Sequence, residues 1–278
     1  MSEAIVRELW TYPVKGCRGV PAEAIEVRRM GITGDRGFVL WREGKLVDQI
    51  ETPQLASLAV GFDPERGVLR FDHPEHDVYE HEIRHEGPTR EAKWVLDEFE
   101  TIDQGDAVAT WLSTVLGKEV RLVSPGAAWK INFPIPQMQL LHGEPKQRFF
   151  SASPVSLANQ ASLNDLNGRL RVPVPMDRFR VNVVVDGLAP YQEDALTSLE
   201  GDDVDLLQVT PAERCAIITT DQKTGERPKS DLMKVLGEYR RKKKEERFGS
   251  GLIFGSYMTV GREGTLRVGD RLKVVETS

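Results

Sequence analysis

A chain of 278 residues that is 40% hydrophobic is long enough to bury a real core, and its 29% charged residues leave a net charge of −6, with basic residues spread along the chain, which argues against general nucleic-acid binding. The two cysteines, Cys17 and Cys215, exclude a disulfide framework, a four-cysteine zinc site and a protein-held iron–sulfur cluster of the four-cysteine kind. Any redox centre must therefore come from a cofactor that needs very few protein ligands.

In chain order, the first 125 residues read mostly as short strands separated by turn chemistry: AIVRELW (4–10), AIEVRR (24–29), FVLW (38–41) before the turn-like REGK, LASLAVGF (55–62), and VLRFD (68–72). That spacing predicts a β-meander or barrel. DAVATWLSTVLGK keeps helical spacing at Val108, Trp111, Leu112, Val115 and Leu116, with Gly117 as its stop. After the strand VRLVS (120–124), the Pro-rich PGAAWKINFPIPQMQ reads as a linker or a long loop over a cleft, and Trp129 and Phe133 in it are candidates to line an entry. The second half predicts a short helix SLNDLNGRL capped by Ser162 and a buried strand in FRVNVVVDG. It continues with strands VDLLQV (204–209) and CAIITT (215–220), a helix DLMKVLGEYRRK capped by Ser230, and closing strands in LIFGSYMTV and GTLRVGDRLKVVE. The run YRRKKKEER (239–247) reads as a solvated helix end rather than a polyanion site. No stretch approaches about 18 apolar residues, and MSEAIVRELWTYPVKG lacks a signal-peptide layout. The expectation is a cytoplasmic protein without a membrane segment.

The motifs G-x-G-x-x-G and G-x-S-x-G and the P-loop are absent. His73, His76, His81 and His85 fall in FDHPEHDVYEHEIRHEG among carboxylates, a conceivable metal set whose strand-like alternation favours a solvated hairpin. Cys215 stands beside Arg214, whose charge favours the thiolate, the nucleophilic and metal-ligating form of cysteine. A thiolate suits thiophilic metals, although a free cysteine in an apolar run is also a common small buried hydrophobe. The basic turns YPVKGCRG, ITGDRG and RFRVN offer arginine forks and glycine-freed N–H groups, which are what a phosphate needs.

Taken in order, YPVKGCRG, GDRGFVLW, SLNDLN, FRVNVVVDG followed by YQED, ERCAIITTDQKTG, and FGSYMTV followed by GTLRVGDRLKV resemble the MOSC-domain proteins with an N-terminal β-barrel domain, relatives of the mitochondrial amidoxime-reducing component. The resemblance covers nearly the whole chain. It implies a β-dominated α+β fold, with a barrel-like domain over 1–125 and a MOSC β-barrel domain with a few helices over 126–278. It also implies the molybdenum cofactor, molybdopterin with molybdenum, with Cys215 as the metal's protein ligand and the cofactor between the two domains. Contacts to the pterin and its phosphate fall by resemblance on Lys15, Gly16, Arg36, Ser153, Arg180, Asn182 and Arg214.

The implied reaction is reduction of an N-hydroxylated substrate such as an amidoxime. The electron donor is then a separate protein: a flavoprotein, a ferredoxin or a cytochrome b5 type. Asp221 is a candidate for proton delivery or for support of the ligand turn, and its plainer reading is a turn residue in TTDQKTG. The chain departs from the family pattern at Gly16, at Val181 and at Glu213, and a glutamate beside an anionic cofactor weakens binding unless its side chain points away. Two other readings stay open: a module that carries the cofactor or sulfur without its own redox catalysis, and a barrel protein that has lost the cofactor.

Overall fold

The structure is a computed structural model that describes residues 2–94, 97–130, 148–149, 152–247 and 249–276. It is strand-dominated and contains two closed β-barrels. Around the first, Phe38–Arg42 pairs with Lys45–Val47, and Thr89–Trp94 and Asp97–Asp103 follow. Arg121–Pro125 then closes the ring on Phe38–Arg42. A meander of Ala59–Asp63, Val68–His73 and His76–Glu82 packs beside it. Its core joins Leu40, Leu55, Leu69 and Phe71 to Val108, Leu112 and Leu116 of helix α1 (Asp106–Leu116). These three helical residues recur at four-residue spacing, so one face is buried, and Gly117 ends the helix at φ 63°.

The second barrel runs Val183–Asp186, Val155–Asn159, Ile253–Arg262, Asp205–Glu213, Leu196–Glu200 and Arg271–Glu276, and the chain's first strand, Glu3–Thr11, closes it by pairing at both edges. Val6, Leu9, Val183, Val185, Leu206, Met258 and Leu272 fill its interior. Helices α2 (Gln160–Arg169) and α3 (Leu232–Tyr239) pack outside it against Phe179, Val184 and Phe254.

Several sequence expectations change here. CAIITT is no strand: Ala216–Thr219 is a 3₁₀ turn with Cys215 at its start. Helix α2 is capped by Asn159, whose side chain accepts from the Ala161 N–H at 3.1 Å, while Ser162 lies one turn inside and donates to Glu193. LASLAVGF splits into a 3₁₀ turn, Pro53–Ser57, and a strand from Ala59. Nor is the 239–247 run simply solvated, because Arg240 pairs with Asp194 at 2.5 Å and Lys242 with Glu213 at 3.8 Å, while Lys243 and Lys244 are exposed. Trp129, 5% exposed, stacks on Phe99 at 3.7 Å and packs against Phe149, so it belongs to a core rather than an entry. Phe133 lies outside the described residues.

Glu193 is wholly buried, with one carboxylate oxygen accepting from Ser162 Oγ at 2.7 Å and the other without a partner among the described residues. Burial pushes this carboxyl up to about 7, against the hydrogen bond from Ser162. The folded state therefore holds a proton that the unfolded chain releases near the usual carboxylate value. Stability is greatest below that value, falls as pH rises toward about 7, and is level above it. Urea unfolding is expected to show a loss of up to about 3 kcal/mol from this group between pH 4.5 and pH 8. Glu193→Gln should remove that slope.

Candidate functional site

The two barrels meet through a polar junction built from turn residues of both. In the first half, the Tyr12–Gly16 turn and the Asp35–Arg36 turn are tied together, with Tyr12 N–H donating to Asp35 Oδ1 at 2.8 Å and Arg36 N–H to Tyr12 O at 2.7 Å. Arg36 holds a left-handed backbone, φ 50°, and Arg180 in the second half does the same, φ 52°. Side-chain-bearing residues rarely adopt this region, and they concentrate at functional sites. Both guanidinium groups lie against one ring, at 4.8 Å and 4.6 Å from the Tyr12 centroid. Arg36 pairs with buried Asp35 and donates to Asn182 Oδ1 and to Arg180 O, each at 3.1 Å. Asn182, fully buried, returns its amide to Asp35 at 3.1 Å and to Trp10 O at 3.2 Å. Arg36, Arg180 and Asn182 thus form one network across the junction.

Arg214 and Cys215 follow the end of the strand Asp205–Glu213. The Arg214 backbone is pinned on both sides, its N–H donating to Leu252 O at 2.7 Å and its carbonyl accepting from Ser250 Oγ at 2.6 Å. Its Nε donates to Phe254 O and its Nη1 to Phe179 O, at 2.8 Å and 2.9 Å. Nη2 is buried and has no partner among the described residues. Burial pulls this guanidinium below its ordinary value, and the Arg36 charge lies close enough to add to the effect. Next to it the Cys215 thiol is exposed. Cys17, by contrast, is completely buried in the first barrel's core, and burial pushes its thiol up to about 12. It is a packing residue.

Glu213 points away from this cluster. One carboxylate oxygen accepts from Gly251 N–H at 2.9 Å and the other faces Lys242, so its charge is offset locally. Lys15 donates to Phe149 O at 3.1 Å and sits 4.4 Å from the Trp94 ring centroid. Gly16 takes φ 89°, and its carbonyl accepts from Gln49 at 2.6 Å. The Ser153 hydroxyl is turned to backbone, toward Val155 O and Met258 O, and makes no bond to the arginines among the described residues.

Asp221 takes the turn role. It accepts from Lys223 and Thr224 N–H groups and from Arg178 Nη2 at 2.8 Å, and Arg178 Nη1 in turn reaches Thr219 O at 2.9 Å, steadying the turn that begins at Cys215. Burial alone raises the Asp221 carboxyl, but those N–H groups and Arg178 outweigh it and leave it below the ordinary value, hence ionised at neutral pH. His73 lies 3.1 Å from Ser57 Oγ and buried His81 3.2 Å from Gln104 Oε1, and burial lowers both. Among the described residues no group of three or more His, Cys, Asp and Glu is arranged to hold a metal.

Sequence reasoning missed Gln49 and Gln222, a buried amide pair across the junction, at 0% and 2% exposure. Nothing in the sequence around Gln49 marks it, whereas Gln222 lies inside the quoted TTDQKTG. A cleft of about 280 Å³ opens beside Tyr12, Arg18, Asp177, Gln222 and Lys223, and Cys215 does not line it. The 221–228 loop grips the first half closely. Arg227 reaches the Gln49 and Ile50 carbonyls, and a Cβ on Gly225 (φ 74°) would stand 2.8 Å from Pro53 O. Gly225→Ala is therefore expected to cost about 2 kcal/mol or more, read as a lowered thermal midpoint. The open-space Gly117→Ala (φ 63°) serves as the comparison for φ strain alone.

Residues 3–119 match the family described as the MOSC N-terminal beta barrel domain, and residues 140–273 match the MOSC domain. Mitochondrial amidoxime-reducing component 1 of Homo sapiens is 30% identical over 273 residues, 95% of this chain and 81% of that protein. Mitochondrial amidoxime reducing component 2 of Bos taurus is 28% identical over the same shares. Among solved structures, the YUAD protein from Bacillus subtilis aligns over 99% of this chain and 97% of its own at 12% identity, with a TM-score of 0.43.

Proposed function

The chain belongs to the MOSC-domain family with an N-terminal MOSC β-barrel, and from that membership we propose that it is a molybdenum-cofactor oxidoreductase reducing N-hydroxylated substrates of the amidoxime type. The observation that carries the reading is the pairing of an exposed thiol, Cys215, with a buried guanidinium N–H at Arg214 Nη2 that has no partner among the described residues. A buried donor left without an acceptor is costly, and an anionic ligand beside the thiol would satisfy it. Space there is kept by Gly255, φ 71°, where a Cβ would stand 3.3 Å from Arg214 Nη2 and 2.3 Å from Leu157 O. The donor set also fits, a soft thiolate for a thiophilic metal and arginine forks for a phosphate.

In this reading Cys215 ligates molybdenum, and Lys15, Gly16, Arg36, Ser153, Arg180, Asn182 and Arg214 hold the pterin and its phosphate. Residues 1–125 contribute the first three and 126–278 the rest. When bound, the cofactor supplies two-electron redox chemistry. The protein's own part is to neutralise the anion with Arg36, Arg180 and Arg214 and to hold Cys215 on its turn through Arg178 and Asp221. An ionised, twice-anchored Asp221 fits support of that turn better than proton delivery. The name amidoxime-reducing component belongs to the relatives, and the substrate class comes to this chain through them. Electrons would come from a separate donor protein of flavoprotein, ferredoxin or cytochrome b5 type. No helix among the described residues is long and apolar enough to cross a membrane. Two free cysteines are in keeping with the reducing cytoplasm.

The test is molybdenum and pterin content of protein purified from a host that makes the cofactor, beside Cys215→Ser. Near-stoichiometric molybdenum in the parent and at least tenfold less in the variant is the expected result, followed by amidoxime reduction with a reduced donor. Pterin or bound sulfur without molybdenum would favour the carrier module instead. A folded parent with none of these would sink the proposal.

A further inference from the structure

Arg36 and Arg180 face the same Tyr12 ring but are held differently. Arg36 pairs with a carboxylate, Asp35. Arg180 has no carboxylate partner among the described residues, and its Nη1 donates to the neutral Gln222 Oε1 at 2.8 Å. Burial pulls the Arg180 guanidinium below its ordinary value, and Arg36 is among the charges that add to this. Its charge is therefore only partly compensated by protein.

Gln222 is itself held in one orientation. Its Oε1 also accepts from Gln49 Nε2 at 3.0 Å, and its Nε2 donates to Gln49 Oε1 and Thr220 O, both at 3.1 Å. Gln49 Nε2 is anchored in turn on Gly16 O at 2.6 Å. Turning the Gln222 amide over would set its N–H groups against those of Arg180 and Gln49 and its oxygen against Thr220 O. The reciprocal pair thus connects the Gly16 turn, Arg180 and the end of the Cys215 turn.

We infer that Gln222, locked by Gln49, is a positioning residue that aims Arg180 at an anionic phosphate group while leaving its positive charge uncancelled. A carboxylate at position 222 would orient the guanidinium equally well, but it would form a contact ion pair and compete with an incoming anion. An amide supplies the acceptor without the charge. The inference rests on the cofactor reading above for the identity of the phosphate's owner, but not for the existence of the anion site.

Apo protein from a host unable to make the pterin, titrated with inorganic pyrophosphate by calorimetry, tests this directly. Gln222→Glu keeps an acceptor and adds charge, whereas Gln222→Met removes the acceptor at similar volume. Pyrophosphate affinity should fall at least tenfold in Gln222→Glu and about threefold in Gln222→Met, with thermal unfolding followed for each. A merely structural role would lower the midpoint and leave the affinity of the folded protein alone. Parent-like affinity in either folded variant, Gln222→Met weaker than Gln222→Glu, or no binding by the parent overturns the inference. The expected pattern in the apo protein, together with a parent that takes up no molybdenum or pterin in the cofactor-making host, would instead sink the cofactor reading alone.

Discussion

A guanidinium withdrawn from water must be surrounded by acceptors, and at the junction of the two barrels most of those acceptors are uncharged. Arg214 is held by the Phe254 and Phe179 carbonyls, Arg36 by the Arg180 carbonyl and Asn182 as well as Asp35, and Arg180 by Gln222. Carbonyls solvate a cation without neutralising it. The result is a region of retained positive potential, and the carbonyls that create it are backbone groups at strand ends and turns. Besides Asp35, its own neighbour, Arg36 finds acceptors only when the first barrel's turns lie against the second. Docking of the barrels and assembly of the cationic site are therefore one event.

Within that frame the two cysteines illustrate how environment assigns chemistry. Cys17 sits in a motif yet has no access to water, and a buried thiol resists ionisation. Cys215 is displayed at the start of a 3₁₀ turn whose supports come from three directions: the Arg214 backbone on Leu252, Ser250 on the Arg214 carbonyl, and Arg178 on Thr219. Rigid support of an exposed ligand fixes where a bound group would stand. Glu213, an apparent electrostatic liability in the sequence, is committed to Gly251 and Lys242 and does not disturb the arrangement.

Much of this was legible in the sequence because local rules and global structure agree. Alternation marked Ala24–Arg28, Val68–His73 and Arg271–Glu276, and helical spacing with a terminal glycine marked α1. Other features were hidden for physical reasons. The residues of CAIITT have strong strand propensity, yet they turn because the Ile218 and Thr220 N–H groups bond back to Cys215 and Ile217 carbonyls. Ser162 looks like a cap, but Asn159 precedes it and Glu193 claims its hydroxyl. Gln49 and Gln222 acquire meaning only through contact across the junction, which no local pattern reports. Arg240 and Lys242 read as surface charge until Asp194 and Glu213, distant in sequence, are seen beside them.

The closing strand of the second barrel, Glu3–Thr11, is synthesised well before its partners Val183–Asp186 and Arg271–Glu276. Until those are made, only Leu9–Thr11 has a neighbour, in Val20–Ala22, and the second barrel has an open seam that Glu3–Thr11 must fill. Folding must then wait for contacts of long sequence separation, which are slow to form. Cutting the chain between its two halves would strand the seam on the wrong fragment. A circular permutation that moves residues 2–11 behind residue 276 would turn that distant contact into a local one.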